Sequence, residues 1–246
     1  MKLFRKIRQQ LAAENNAAKY LRYAIGEILL VVIGILIALQ VNTWNQERIA
    51  EIEEQSILKN IHSEFLENKK SIQVKLQESD KGFQSGKFLM ILVGQDKAEI
   101  EKYNIDSLLF NSLESGTYKF SENTISELFQ SGRLQLLHNE NLINLIYEWS
   151  ASKASSDVSN ERVNLKIDNE LVPYLQKKYS LKDIDMYGAL KWKKKSVIKI
   201  DKLQIFEDIE FENIMDDYLY RVNRSIGRLL ELEIIIDAII KETGND

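Results

Sequence analysis

Apolar residues follow two distinct rhythms along this chain. From Ala24 to Val41 the sequence is apolar apart from Gly26, Glu27, Gly34 and Gln40, and no charge occurs for 19 residues between Ile28 and Gln46. The 25 residues Tyr20 to Trp44 make a helix of about 37 Å at 1.5 Å per residue, enough for a hydrocarbon core of about 30 Å. Beyond Trp44 the rhythm becomes amphipathic. Ile61, Phe65, Ile72, Leu76, Phe83 and Met90 recur at spacings of 4, 7, 4, 7 and 7, one stripe of a helix predicted over 44–93. Gly82 and Gly86 are expected to weaken it locally. A second long stripe, Phe211, Met215, Tyr218, Val222, Ile226, Leu229, Ile236 and Ile240, predicts a final helix over 210–241.

Shorter helices are predicted between these two. One runs from Asp106 to Leu113 and ends near Gly116. Ser121 can cap a helix of Thr124 to Gln130, with Gly132 in the left-handed position beyond it. Asn139 can cap the next, with Leu142, Leu145, Ile146 and Trp149 facing the core. That helix can continue past Val163, Ile167 and Leu171 until Pro173 kinks or ends it. Ser196 to Ile200 is rich in β-branched residues, but an isolated strand is marginal, so 190–205 is read as a loop. The expected fold is all-α: a transmembrane helix continues into a stalk and an antiparallel extracytoplasmic helical bundle. Its segments are a cytoplasmic basic head over 1–19, a span over 20–44 and a helical body over 45–246.

Composition supports a helical reading. One proline and ten glycines stand where average usage would give about 12 and 17. The absence of cysteine removes disulfide scaffolds, thiolate metal sites and thiol nucleophiles. Two histidines, His62 and His138, are too few for a multi-histidine metal site. The charge is segregated. Residues 1–22 carry +5 and the rest −9, within a net charge of −4. Six Lys/Arg precede the span and only Arg48 and Lys59 closely follow it, which predicts a cytoplasmic N-terminus and an uncleaved signal anchor in the inner membrane. Tyr20, Arg22, Tyr23 and Trp44 sit where interfacial anchors belong. Leu3, Phe4, Ile7 and Leu11 oppose Lys2, Arg5, Lys6 and Arg8, a pattern suited to lying in an anionic headgroup plane or to a plain topogenic head. Membrane lipid is therefore the first expected partner.

Glu27, Gly34 and Ala38 share one face of the predicted span. Gly34 and Ala38 form a small-xxx-small pair that lets helix backbones approach, so a homo-oligomer or a membrane-protein partner is expected there. Glu27 would bond a neighbour's Tyr23 or Arg22, or reach the cytoplasmic headgroups.

These membrane-proximal residues carry a resemblance. Phe4-Arg5-Lys6-Ile7-Arg8, Lys19 to Ile28, and the run from Gly34 through Gln40-Val41-Asn42-Thr43-Trp44-Asn45 resemble a Bacteroidota family of small single-pass membrane proteins known only as a domain of unknown function. The similarity is close over residues 1–75 and looser at 128–134 and 206–213. It implies a cytoplasmic-membrane anchor and a helical extracytoplasmic domain, and it implies no activity.

Candidate chemistry is sparse. There is no Gly-rich phosphate loop, G-x-S-x-G elbow or H-E-x-x-H motif. Lys59, three residues before His62, stands where a di-metal bundle would need Glu. Glu231 with Glu233 and Asp216 with Asp217 read as solvated faces. Lys191, Trp192, Lys193, Lys194 and Lys195 form the one concentrated basic patch outside the head, read as an anion or headgroup site or as a solvated loop. Nucleic acid is not expected for an acidic extracytoplasmic domain, and no cofactor or metal site is expected. The sequence thus predicts a non-enzymatic binding, scaffold or accessory protein. A carboxylate-dependent envelope hydrolase and a sensory bundle that signals through a separate partner are the alternatives.

Overall fold

The structure, a computed structural model, describes residues 17–114 and 118–244. The basic amphipathic pattern at 1–12 and the expected helix end near Gly116 lie outside the described residues. Every regular element among the described residues is helical. They are α1 (Ala17–Leu92), α2 (Lys97–Ile100), α3 (Ile105–Leu113), α4 (Asn123–Ser131), α5 (Glu140–Lys166), α6 (Val172–Lys178), α7 (Leu181–Ile184) and α8 (Ile209–Thr243). Short 3₁₀ turns fill Arg133–Leu136 and Lys202–Glu207. The chain divides into two compact units, residues 1–56 and 57–246.

In the first unit α1 is a single apolar helix. It contains an 18-residue window of mean hydropathy 2.6, none of it buried. Length and composition make it the candidate membrane span among the described residues. Val31, Ile35 and Leu39 are all more than half exposed. Apolar surface on that scale is stable only where something other than water covers it.

The second unit buries two apolar clusters. One gathers Leu89, Leu109, Phe206, Phe211, Met215 and Tyr218. The other gathers Ile61, Phe65, Ile72, Trp149, Leu232 and Ile236. Full burial of each large apolar side chain stabilises by about 1.5–3 kcal/mol. Phe65 meets Trp149 edge-on at 5.1 Å within the second cluster. The stripes read from the sequence are these core faces, with Leu76, Phe83, Met90, Ile226 and Ile240 at their margins.

Local signals explain several helix ends. Asn139 Oδ1 accepts the Leu142 amide at 3.1 Å and caps α5. Gly132 ends α4 with φ 71°, a left-handed backbone that suits glycine. One expectation needs correction. Ser121 does not cap α4: its backbone is gripped by buried Asn68, which donates to Ser121 O and accepts from Ser121 N, both at 2.8 Å. The Thr124 amide is instead accepted by Glu64 of α1, also at 2.8 Å. Of the two outcomes expected at Pro173, kinking or ending the helix, the structure excludes ending, because helical turns run on to Lys178. Ile167–Leu171 widens into a π turn, in which the Val172 amide reaches the Ile167 carbonyl. The wider turn absorbs the proline ring that would clash with an α-helical carbonyl four residues back.

Candidate functional site

Three features of the second unit combine polar chemistry with unusual exposure. The first is a belt of polar groups between the apolar clusters. Lys75, Ser79, Asn160 and Ser225 line a cavity of about 20 Å³, on the scale of a single water. Lys75 is 2% exposed and sits 5.4 Å from the centre of the Tyr118 ring. Burial pushes its ammonium below the ordinary lysine range, against the pull of Glu78 and Glu114. Tyr118 bonds on to Ser156 at 3.3 Å and Asp157 at 3.2 Å.

The second feature is an ionic cluster around α3 and α7. Asp106 is 4% exposed, and Asp183 is 3% exposed. Asp106 accepts from Tyr179 Oη at 2.7 Å, Lys195 Nζ at 3.0 Å and Lys202 Nζ at 2.6 Å. Lys202 also pairs with Asp183 at 2.6 Å, and its Nζ lies 5.0 Å from the centre of the Tyr179 ring. Asp183 accepts the Ser196 amide at 2.6 Å. Burial alone would raise both carboxyls. The hydrogen bonds from Lys202, joined by Tyr179 and Lys195 at Asp106 and by Ser196 at Asp183, outweigh it and hold both below the usual carboxylate range. Burial and the Asp106 anion drive the Tyr179 phenol upward, so it stays a donor. Two carboxylates and two ammoniums balance, as buried charge requires.

The third feature is the loop that this cluster pins. Lys195 and Ser196 are tied down at its centre and Lys202 at its far end. Between and before these ties, Leu190, Trp192, Val197, Ile198 and Ile200 are 62%, 46%, 92%, 73% and 42% exposed. Lys191 takes a left-handed backbone, φ 44°, uncommon in a side-chain-bearing residue. The result is an apolar finger interleaved with Lys191, Lys193, Lys194 and Lys199 on a charge-locked base.

The sequence-predicted residues fall into place unevenly. Lys191, Trp192, Lys193 and Lys194 are exposed on this finger, with Lys182 5.7 Å from the Trp192 ring centre. Lys195 departs from the patch: its ammonium is spent on Asp106, which raises its pKa. Gly34 and Ala38 are exposed along α1, and a Cβ built on Gly34 would meet nothing within 4 Å. Arg22, Tyr23 and Trp44 are exposed on the same helix, Glu27 is half-buried, and Tyr20 lies in its first turns. His62 Nδ1 lies 3.1 Å from Thr243 Oγ1 and joins α1 to the end of α8. Sequence reasoning missed Asp106, Asp183, Tyr179 and Lys202. A buried acid in a first helical turn, far upstream of a lysine-rich loop, carries no local signature. Among the described residues, no group of three or more His, Asp or Glu is arranged to hold a metal.

No family model, curated protein or solved structure matches this chain. Its class therefore rests on its own features: a helical protein with one candidate membrane-spanning helix near the N-terminus.

Proposed function

We propose that this chain is a non-enzymatic, membrane-anchored binding or scaffold protein of the cell envelope. The observation that carries the reading is the finger at 190–200, with Val197 and Ile198 exposed to water above a base in which Lys195 and Lys202 pair with the buried carboxylates Asp106 and Asp183. An apolar, solvent-facing loop on a rigid base costs stability unless a partner covers it. In this reading α1 is a single-pass anchor in the inner membrane, with its N-terminus cytoplasmic and residues 45–246 periplasmic. The resemblance of residues 1–75 to a single-pass family and the positive charge before the span support that topology.

The same reading has α1, α5 and α8 as an antiparallel bundle. Its support is the pairing of His62 with Thr243, Lys69 with Asp237, Asn139 with Glu242 and Lys166 with Asp217. An envelope hydrolase using Asp106 and Asp183 fits poorly. Both carboxyls are buried and held ionised by lysine, so neither is poised to donate a proton near neutral pH.

A photo-crosslinking residue at Val197 of the full chain, activated in native membranes, tests the reading. Capture of one defined protein species, repeated from Ile198 and absent from the exposed α8 position Arg224, is the expected outcome. Adducts with no protein from either loop position would remove the finger as a partner surface.

Self-association through Glu27, Gly34 and Ala38 is the second part of the proposal. Single cysteines at Ala38, in a chain that has none of its own, should form disulfide dimers in membranes. Gly34→Ile, which the lone chain has room for, should abolish them. Dimers that persist in Gly34→Ile would show that this face is not the contact.

A further inference from the structure

α5 and α8 enclose a groove that neither the finger nor the ionic cluster uses. Its volume is about 220 Å³, and Ser159, Arg162, Asp217, Tyr220, Arg221 and Arg224 line it. On α8 the spacing 217, 220, 221, 224 sets four of these on one helical face. On α5, Ser159 and Arg162 stand one turn apart. Three guanidiniums therefore converge from two helices.

The charge around this groove is lopsided. Asp217 is the one acid in the lining, and it is already committed. It accepts from Lys166 at 2.8 Å and from Arg221 Nε at 3.2 Å on both oxygens. The Lys166 contact, helped by Arg221 and opposed by burial, holds its carboxyl below the ordinary range. Lys166 is 6% exposed and bonds Glu170 as well. Arg221 uses Nε on Asp217, and among the described residues no carboxylate is hydrogen-bonded to its terminal nitrogens. Among the described residues, Arg162 and Arg224 have no carboxylate within ion-pair distance. The contrast on α8 itself is sharp, because Arg221 and Arg228 flank Arg224 and both are paired. Arg162 and Arg224 are both exposed beside one cavity, with their donors unspent on any acid among the described residues.

We infer that this groove binds an oxyanion of the phosphate class. Guanidinium forks match tetrahedral oxyanions through paired, charge-assisted hydrogen bonds. Donors that approach from two helices suit a group with three or four oxygens better than a planar carboxylate with two. Ser159 and Tyr220 add hydroxyl donors. An apolar rim lies beside the groove, outside its lining: Val158 and Leu165 stand one turn either side of Arg162 along α5. They are 48% and 49% exposed, and Tyr220 on α8 is 63% exposed. A phosphate that carries carbon, whether a lipid headgroup or a soluble phosphoester, would use both the forks and the rim. This site is independent of the finger, and neither proposal depends on the other.

The test is calorimetric titration of the full chain in zwitterionic nanodiscs. The probes are inorganic phosphate, glycerol 3-phosphate and the soluble short-chain lipid dihexanoyl phosphatidic acid, with acetate as the carboxylate control. Saturable phosphate binding with acetate weaker is expected. Arg162→Gln/Arg224→Gln should weaken it by at least about tenfold, and Arg228→Gln, outside the groove, should leave it unchanged. Arg162→Lys/Arg224→Lys keeps the charge but loses the forks, and should fall between wild type and the Gln pair. Helicity by circular dichroism checks that each variant is folded, and the Lys pair carries the test if the Gln pair is not. Tighter binding of the short-chain lipid assigns a headgroup, and equal binding of glycerol 3-phosphate assigns a soluble phosphoester. The inference is overturned if no phosphate probe saturates up to the order of 10 mM, or if a folded charge-deleted variant binds like wild type.

Discussion

At the scale of single residues, Asp106 carries the most consequence. It is almost fully buried, and three side chains donate to it from positions 73, 89 and 96 residues away. Removing it would take the acceptor from the Tyr179 hydroxyl and from Lys195, and would leave Lys202 with Asp183 alone. Asp106→Ala is expected to destabilise the second unit by about 1–3 kcal/mol, because the buried Tyr179 hydroxyl loses its acceptor. Its pH dependence has a definite sign. The folded carboxyl titrates below its unfolded value, so its stabilisation is present above an unfolded pKa of about 3.9 and is lost as pH falls through the folded value. Thermal melts should be flat near neutrality and fall on acidification below about pH 4. Asp106→Asn should start lower at neutral pH and show a shallower acid slope. Matching acid slopes in the two proteins would show that Asp106 is not a source of the stabilisation.

At the same scale, sequence and structure part company over range. Asn139 and Gly132 were legible because their signals are local: a cap acts three residues on, and a left-handed backbone acts at one residue. The grip of Asn68 on Ser121 and the capping of Thr124 by Glu64 span 53 and 60 residues. No local pattern encodes such pairs. The tie from Lys195 to Asp106 is of the same kind, spanning 89 residues while Lys195 itself stays exposed beside Lys191 to Lys194.

At the scale of elements, the long helices were read well, because twenty or more residues of one period outweigh any single breaker. α1 was read as a span plus a helix ending near Val93, and it runs unbroken to Leu92. Gly82 and Gly86 were read as weak points, and the structure gives them a packing role. A Cβ on Gly86 would stand 2.8 Å from Leu219 Cδ2 and 3.4 Å from Met215 Cε. A Cβ on Gly82 would stand 3.1 Å from the Asn111 carbonyl oxygen. These glycines let α1 approach α8 and α3 closely. Gly227, midway along α8, has nothing within 4 Å of such a Cβ. Gly227→Ala should therefore stabilise by up to about 1 kcal/mol through helix propensity. Gly86→Val should destabilise by about 1–3 kcal/mol through overpacking. Chemical denaturation with an unchanged m-value would measure both, and a stabilising Gly86→Val would refute close approach as its role.

At the scale of the whole molecule, the sequence located the candidate span and the helical class, and it marked as a loop 190–205, of which 202–205 winds into a 3₁₀ turn. It could not show that Val197 and Ile198 face water, since β-branched residues in a loop are as often tucked under it. That exposure depends on Asp106 and Asp183 holding the loop base, contacts made only in the folded chain. The groove of Arg162, Arg221 and Arg224 was hidden likewise, because its two sides lie on helices far apart in sequence.

The central claim is that the chain acts by holding a partner through the finger. The most direct measurement is gentle solubilisation of the tagged full chain from its native membrane, sizing, and mass spectrometry of the stoichiometry. Wild type is compared with Val197→Ser/Ile198→Ser. The expected result is one partner protein at fixed ratio with wild type, lost from the variant while its helicity is unchanged. An identical particle from both proteins, or a purified chain that turns over a substrate by itself, would contradict the claim.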